Sequence, residues 1–224
     1  MKTLPISIVI LAKNEGTGIA RIIKSVRPYT NDVLVVDGHS TDNTKQIVRQ
    51  LGVRFYLDNK RGKGDAMRIG VAKVKHDVII FFDADGSHNK NDIPAMAHLL
   101  LSRKADFVMG SRRTGGSFDL SMSITGIIRS AGSDFLVMLI NNRFRTQLTD
   151  VLYSFRGIRK SVFLKLNLRE DGFGIEQEMV IQSLKKGYKV AEIPSRESAR
   201  GWGVSKLRTI EGFRFLAKIL LEYF

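Results

Sequence analysis

A mostly parallel, doubly wound α/β fold is predicted by three features of the sequence. Short apolar strand patterns alternate with helical patterns through the first half of the chain, which is typical of βαβ units. The strand pattern at 78–82 is entirely apolar, and such a strand needs cover on both faces of its sheet. Each strand pattern of this half also ends at polar residues, which parallel strands bring to one common edge. The 224 residues fit a single domain.

The first two strand patterns lie at 6–11 and 33–36 and are rich in β-branched residues. After the first one, a polar turn leads to apolar residues at helical spacing over 19–26. A second helix is expected after the second strand, ending near Gly52. Three residues can cap that helix: Ser40, Thr41 and Asp42.

A short third strand is predicted at 54–57, followed by a cationic loop with two glycines at 60–65 and a helix that runs to Lys73. The fourth strand is the apolar one, and Pro94 suits the first turn of the helix after it. A fifth strand is predicted at 107–110.

The second half of the chain is expected to contain a helix over 124–140, a strand within 153–158, a helix over 174–186 and a strand over 189–194. Residues 207–224 form an amphipathic helical pattern with a polar stripe. That helix is expected either to pack on the domain or to lie on a membrane surface.

The net charge of +14 predicts an anionic partner, whether nucleic acid, a phospholipid surface or a phosphorylated small molecule. Runs of basic residues interleaved with aromatic ones are absent, so nucleic acid is not the expected partner. The lack of cysteine excludes disulfides, thiolate catalysis and Cys-ligated zinc. Rossmann and Walker glycine fingerprints are also missing, which argues against NAD binding and P-loop hydrolysis.

Two carboxylates, Asp83 and Asp85, follow the apolar strand directly. Because alternate residues of an extended chain point the same way, both side chains can reach one cation. Hard oxygen donors of this kind suit Mg²⁺ or Mn²⁺, which take further ligands from water and substrate phosphates. The pattern predicts a metal-diphosphate site, with Glu15 and Asp37 from other strand ends in the same crevice. The alternative is an ordinary polar turn that ends a strand.

Several sequence blocks, in their order along the chain, resemble the inverting family 2 glycosyltransferases of the GT-A fold. These blocks are AKNE at 12–15, VDGHSTD at 36–42, GKG at 62–64, DADGSH at 83–88 and GSR at 110–112. Later blocks resemble the dolichyl-phosphate mannose synthase branch, and they are TD at 149–150, SFR at 154–156, GF at 172–173, EQEM at 176–179, GY at 187–188, IP at 193–194 and RGWGVSKL at 200–207. Two departures stand out: Gly38 replaces the second Asp usual in that family, and the block at 154–156 lacks its common glycine.

The resemblance implies a nucleotide-diphosphate sugar donor, a divalent metal and an acceptor phosphate. The implied donor-binding residues are Ala12, Asn14, Glu15, Asp37, Lys63, Asp83, Ala84 and Asp85. The implied metal ligands are Asp83, Asp85 and Ser87. The implied acceptor-phosphate residues are Arg112, Arg129, Ser133, Arg200 and Lys206. Those implied to act in catalysis are Asp85, Arg112, Arg129 and Arg200.

Nearly the whole chain shares this resemblance, so one glycosyltransferase domain is expected over 1–224. Its nucleotide-sugar-binding half would be 1–112, its acceptor-binding half 113–206 and its amphipathic helix 207–224. The resemblance implies a peripheral enzyme at the cytoplasmic side of a membrane, or a cytoplasmic enzyme.

The expected reaction moves a hexose from a GDP-mannose or UDP-glucose type donor to a polyprenyl (dolichyl) phosphate, with Mg²⁺ or Mn²⁺. A phosphate acceptor is already ionised, whereas an alcohol acceptor needs a general base, for which Glu176 or Glu178 would be candidates. Two alternatives stay open: a family 2 transferase with a hydroxyl acceptor, and a non-enzymatic basic domain that binds anions. The sequence leaves the sugar, the nucleotide and the choice of metal undecided.

Overall fold

The computed structural model describes residues 3–117 and 124–202, and the side chains of 3–117 and 130–202. Within these residues the chain forms a seven-stranded sheet in the order β3-β2-β1-β4-β6-β5-β7. The strands are β1 (Ile6–Ala12), β2 (Asp32–Asp37), β3 (Arg54–Leu57), β4 (Val78–Asp83), β5 (Phe107–Ser111), β6 (Arg156–Arg159) and β7 (Val190–Pro194). All neighbouring strands are parallel except β6, which is antiparallel to both β4 and β5. The predicted mostly parallel α/β fold is therefore confirmed.

Helices cover both faces of this sheet. They are α1 (Ile19–Val26), α2 (Thr44–Gln50), α3 (Lys63–Lys73), α4 (Ile93–Leu101), α5 (Arg112–Gly115), α6 (Ile124–Phe144), α7 (Lys160–Leu166) and α8 (Ile175–Lys185), with 3₁₀ turns at Arg27–Tyr29 and Lys90–Asp92. Alternate residues of each buried strand point to opposite faces. Ile80 and Phe82 of β4 accordingly join the core under α1 and α4, whereas Ile79 and Phe81 join the core under α3, α7 and α8.

Most predicted elements are found within two residues of their expected bounds, but α6 ends four residues later than expected and α5 and α7 were not predicted. Three further details differ. Ser40 and Thr41 do not cap α2, because the helix begins later, at Thr44. The N–H of Thr44 instead donates to Asp42 Oδ1 at 3.0 Å. The strand expected within 153–158 begins only at Arg156.

The third difference concerns the cationic loop expected at 60–65. Helix α3 already begins at Lys63, so this lysine lies on a helix rather than in a loop. A Cβ at Gly64 would lie 2.1 Å from the carbonyl oxygen of Glu170, and the N–H of Gly64 donates to the Asp171 carbonyl at 2.7 Å. The glycine is therefore required for close packing of the 170–171 segment on the first turn of α3.

The register of the parallel strands brings their carboxyl ends to one edge. Ala12 pairs with Asp37, and the preceding residue, Leu11, pairs with Asp83. Asp37 and Asp83 therefore flank the end of β1. The amphipathic helix expected at 207–224 lies outside the described residues, and no helix among the described ones is long and apolar enough to cross a membrane.

Candidate active site

The carboxylates of Asp83 and Asp85, at the end of β4 and two residues beyond it, lie at a tight turn that their neighbours hold in place. Asp83 ends the strand, and Gly86 has a φ of +83°, which favours glycine. The N–H and the hydroxyl of Ser87 both donate to Asp85 Oδ1, at 3.0 and 2.7 Å. The hydroxyl of Ser87, an expected metal ligand, thus orients Asp85 in this structure.

Lys63 lies between two carboxylates from different parts of the chain. Its Nζ is 3.0 Å from Asp83 Oδ2 and 2.9 Å from Glu176 Oε1, and the lysine side chain is only 12% exposed. Burial alone would lower the pKa of Lys63, but the charges of Asp83 and Glu176 outweigh it and raise that pKa well above its usual value. Burial likewise opposes ionisation of Asp83, yet Lys63 and the Ser154 hydrogen bond help lower its pKa to about 2. The lysine is therefore a permanent positive charge beside Asp83.

Arg200 reaches the second carboxylate from the last described segment of the chain. Its Nη2 lies 2.9 Å from Asp85 Oδ2, and its Nη1 lies 3.3 Å from Glu15 Oε1. The N–H of Gly201 also donates to the Asp85 carbonyl at 2.9 Å, and the N–H of Ser198 donates to the Ser87 carbonyl at 2.9 Å. This segment thus crosses the turn that carries Asp85.

Trp202 anchors the same segment. Its Nε1 donates to the Ala84 carbonyl at 3.2 Å. A Cβ at Gly18 or at Gly86 would come within 3 Å of the indole ring, at 1.8 and 2.9 Å. Arg21 stacks over the ring at 5.4 Å from its centroid. Glycines at these two positions are therefore needed for the ring to fit beside the turn. Sequence reasoning missed this role of Trp202, which no local pattern reveals.

The expected donor-binding residues lie at the ends of β1, β2 and β4. Asn14 has a φ of +58°, and its Oδ1 accepts the N–H of Thr41 at 2.8 Å. The carboxylate of Asp37 accepts both the N–H and the hydroxyl of Ser40. The side chains of Ala12 and Ala84 pack in the core, so only their backbone can face a ligand.

The structure describes the side chains of three of the five expected acceptor residues, Arg112, Ser133 and Arg200. Arg112 forms a two-pronged ion pair with Asp150, with 2.6 Å from Nε to Oδ2 and 3.1 Å from Nη2 to Oδ1. Its Nη1 also lies 3.4 Å from Glu197. Burial would lower the pKa of Arg112, but these carboxylates raise it above its usual range. Ser133 lies on α6 and is partly buried.

The side chains of the other two expected acceptor residues lie outside the described part of the structure. Arg129 belongs to α6, but its side chain is not among those described. Lys206 lies outside the described residues.

Arg156, Glu178 and His88 are held by contacts within the protein. Arg156 is fully buried and donates to the carbonyls of Val151, Tyr153 and Glu176, so it stabilises the fold. Glu178 accepts the N–H groups of Arg169 and Glu170, a structural role. The His88 side chain is completely buried against Phe82 and Ser154.

The donor set fits a magnesium- or manganese-type ion. Within the residues described, no three His, Cys, Asp or Glu side chains cluster as a complete metal site. The protein therefore offers two hard carboxylates, Asp83 and Asp85, at an edge where substrate phosphates could supply the remaining ligands. In the structure a cationic group already contacts each carboxylate, Lys63 at Asp83 and Arg200 at Asp85. The positions beside Asp83 and Asp85 therefore favour positively charged groups.

Comparisons with known proteins agree with this geometry. A family model described as Glycosyl transferase family 2 matches residues 7–166. Glycosyltransferase AglJ of Haloferax volcanii is 31% identical over 81% of this chain, which spans only 59% of the length of AglJ. A UDP-N-acetylglucosamine–dolichyl-phosphate N-acetylglucosaminyltransferase of Methanococcus voltae is 23% identical, covering 96% of this chain and 95% of its own length.

Among solved structures, the chain is similar to glucosyl-3-phosphoglycerate synthase from Mycobacterium tuberculosis. The TM-score is 0.74 at 18% sequence identity, and the match covers 96% of this chain and 75% of that chain. That enzyme was crystallised in complex with Mn²⁺, UDP and phosphoglyceric acid. At this identity the likeness shows the fold, and it confirms the predicted GT-A-like architecture.

Proposed function

Because this chain belongs to glycosyl transferase family 2 and is a glycosyltransferase, we propose that it moves a hexose from a nucleotide-diphosphate sugar to a polyprenyl (dolichyl) phosphate, with inversion at the anomeric carbon. The observation that carries this proposal is the placement of Asp83 and Asp85 beside Lys63 and Arg200 at the carboxyl ends of the parallel strands. In open α/β sheets, that edge is where ligands bind.

Asp83 and Asp85 would hold a Mg²⁺ or Mn²⁺ ion on the donor diphosphate. When bound, such an ion supplies Lewis-acid stabilisation of the departing nucleoside diphosphate, worth several kcal/mol. Lys63 adds a permanent positive charge on the same side, because its pKa lies above the usual range. Ser87 keeps Asp85 in orientation, and the turns at Asn14 and Asp37 shape the nucleoside side of the cleft.

The lowered pKa values and the contacts of the carboxylates around the site support a phosphate acceptor. A general base for an alcohol should have a pKa near the working pH. The pKa of Asp83 is instead about 2, and that of Asp150 is lowered by Arg112 although burial opposes this. Glu176 is engaged by Lys63, and Glu178 by backbone N–H groups. A lipid phosphate needs no base, and basic side chains such as Arg200 and Arg112 can position it.

The acceptor class gains support from the Methanococcus voltae relative, whose name specifies dolichyl phosphate and a UDP-sugar. For the donor, the candidates are GDP-mannose, UDP-glucose and the UDP-N-acetylglucosamine named for that relative. A lipid acceptor and a net charge of +14 support peripheral binding at the cytoplasmic face of a membrane. The proposed division is a donor half at 1–112, an acceptor half at 113–206 and an amphipathic segment at 207–224.

The proposal is tested by incubating the purified chain with Mn²⁺, each of the three nucleotide sugars and a short-chain polyprenyl phosphate. We expect transfer from one donor to the lipid phosphate and loss of at least about a hundredfold in rate in Asp85→Asn, from the loss of ion-based stabilisation. Asp77→Asn, at an exposed aspartate that contacts Ser161, is the matched control and should keep its rate.

The same assay includes a free polyprenol and soluble saccharides as hydroxyl acceptors. Transfer to these acceptors alone would replace the lipid-phosphate assignment with the hydroxyl-acceptor alternative. A chain that binds no nucleotide sugar, yet binds anionic vesicles in a salt-sensitive way, would instead be the non-enzymatic basic domain.

A further inference from the structure

A closed ring of hydrogen bonds joins Asp83, His88 and Ser154. The backbone N–H of Asp83 donates to His88 Nδ1 at 3.2 Å. His88 Nε2 lies 2.9 Å from Ser154 Oγ, and the Ser154 hydroxyl donates to Asp83 Oδ2 at 2.7 Å. The ring therefore connects the backbone of Asp83 to its own carboxylate through two other side chains.

The proton positions in this ring follow from its geometry. Because His88 Nδ1 accepts the Asp83 N–H, the single proton of the neutral imidazole must lie on Nε2. That proton is donated to Ser154 Oγ, and the hydroxyl proton of Ser154 is then directed at the Asp83 carboxylate. Each of the three hydrogen-bond donors in the ring therefore has one acceptor, and the donors follow one another in the same direction around the ring.

The imidazole cannot easily leave this position. The His88 side chain is completely buried, and its ring packs edge-on against Phe82 at 5.1 Å and Tyr153 at 5.3 Å between centroids. Phe155 contacts it from a third direction at 5.0 Å. Packing against three aromatic rings fixes the orientation of the imidazole, and the imidazole in turn fixes the orientation of the Ser154 hydroxyl.

We propose that His88 and Ser154 are positioning residues that hold the Asp83 carboxylate in the orientation required to bind the divalent ion of the sugar donor. The inference rests on the proposed function, which makes Asp83 an ion ligand. Ser154 and Lys63 both contact Oδ2. Among the described contacts of Asp83, Oδ1 is the carboxylate oxygen left for an incoming cation.

The first test measures binding of Mn²⁺ alone to the full chain, from the electron paramagnetic resonance signal of free Mn²⁺. Ser154→Ala removes the hydroxyl, and we expect it to weaken Mn²⁺ binding about tenfold, the usual effect of losing a group that orients a metal ligand. Ser154→Thr retains a hydroxyl and should restore most of the affinity. Ser183→Ala, at a buried hydroxyl without a described hydrogen-bond partner, should bind like the wild type.

The second test needs no metal. Nuclear magnetic resonance of ¹⁵N-labelled imidazoles should show His88 as the neutral tautomer protonated at Nε2, and Ser154→Ala should shift the Nε2 resonance. A purely structural role of Ser154 would change thermal stability in both Ser154→Ala and Ser154→Thr without separating their Mn²⁺ affinities.

The outcomes distinguish this inference from the function on which it rests. If Asp83→Ala loses Mn²⁺ binding and Ser154→Ala does not, the positioning role is wrong and the metal site stands. If Asp83→Ala binds Mn²⁺ like the wild type, the metal-dependent function is itself wrong. A His88 tautomer protonated at Nδ1 would overturn the ring directly.

Discussion

Arg200 Nη2 lies 2.9 Å from Asp85 Oδ2, so a basic side chain from the end of the described chain contacts a carboxylate at the end of β4. The same guanidinium contacts Glu15 after β1. A metal ion bound by Asp85 would compete with Arg200 for the same oxygen. The ion pair therefore links metal binding to the position of the segment that carries Arg200.

Replacing Arg200 by Ala should affect metal binding and transfer in opposite directions. Loss of a partly exposed ion pair frees Asp85, and we expect Mn²⁺ affinity to rise about two- to fivefold. Sugar transfer should slow at least about tenfold, because a charged hydrogen bond to phosphate is lost. Isothermal titration and the transfer assay measure the two effects, with Arg49→Ala on the exposed surface of α2 as control. A fall in Mn²⁺ affinity would contradict competition between Arg200 and the metal ion for Asp85.

Replacing Lys63 by Met should destabilise the fold by about 3–5 kcal/mol, because Asp83 and Glu176 would remain as buried charges without their partner. The double variant Lys63→Met/Glu176→Gln should recover part of that loss. Denaturant unfolding measures both changes. Equal stability of the single variant and the wild type would show that the three groups are solvated in solution.

Acid should remove a stabilising contribution that comes from Asp83. Its pKa is about 2 in the folded chain, below the usual aspartate value of 3.8, so the folded state favours the ionised form. The contribution, on the order of 2 kcal/mol, is complete above pH 4 and is lost as the pH falls from 4 to 2. Asp83→Asn should lose stability less steeply than the wild type over this interval in urea unfolding. Parallel curves would be inconsistent with the lowered pKa.

Trp202 is the single tryptophan of the chain, so tryptophan fluorescence reports on the packing of this residue alone. Gly18→Ala would place a Cβ 1.8 Å from the Trp202 ring and should displace it, with a red shift of its fluorescence as the indole becomes hydrated. Gly132→Ala, where a Cβ would meet no described atom within 4 Å, should leave the spectrum unchanged. An unshifted spectrum in Gly18→Ala would mean that the ring packs elsewhere in solution.

Asp150→Ala should cost about 3–5 kcal/mol of stability, since it leaves Arg112 without its two-pronged partner in a largely buried position. Asp134→Ala is a useful comparison, because that aspartate is more than half exposed and also pairs with an arginine, Arg113. Its loss should cost less than about 1 kcal/mol. Thermal or denaturant unfolding of the two variants gives the comparison, and similar losses would contradict the burial of the Arg112 pair.

Local patterns were sufficient for much of the fold. Alternating strand and helix signals predict the parallel sheet, because side-chain periodicity depends only on neighbouring residues. The same patterns place Asp83 at the end of β4, where it is found, although they misplace the start of α2 and begin β6 three residues too early. Turn residues such as Thr41 resemble helix caps locally, and only the contact with Asn14 shows what they bind.

The order of the elements and the presence of two carboxylates at one strand end depend on short-range chemistry, so they can be read from the amino acids in order. The groups that face those carboxylates depend on tertiary packing. Lys63, Ser154 and Arg200 come from distant parts of the chain, and His88 is buried because Phe155 and Tyr153 pack over it. Such contacts arise when separate elements share one core, and this determines the charge and orientation of each carboxylate.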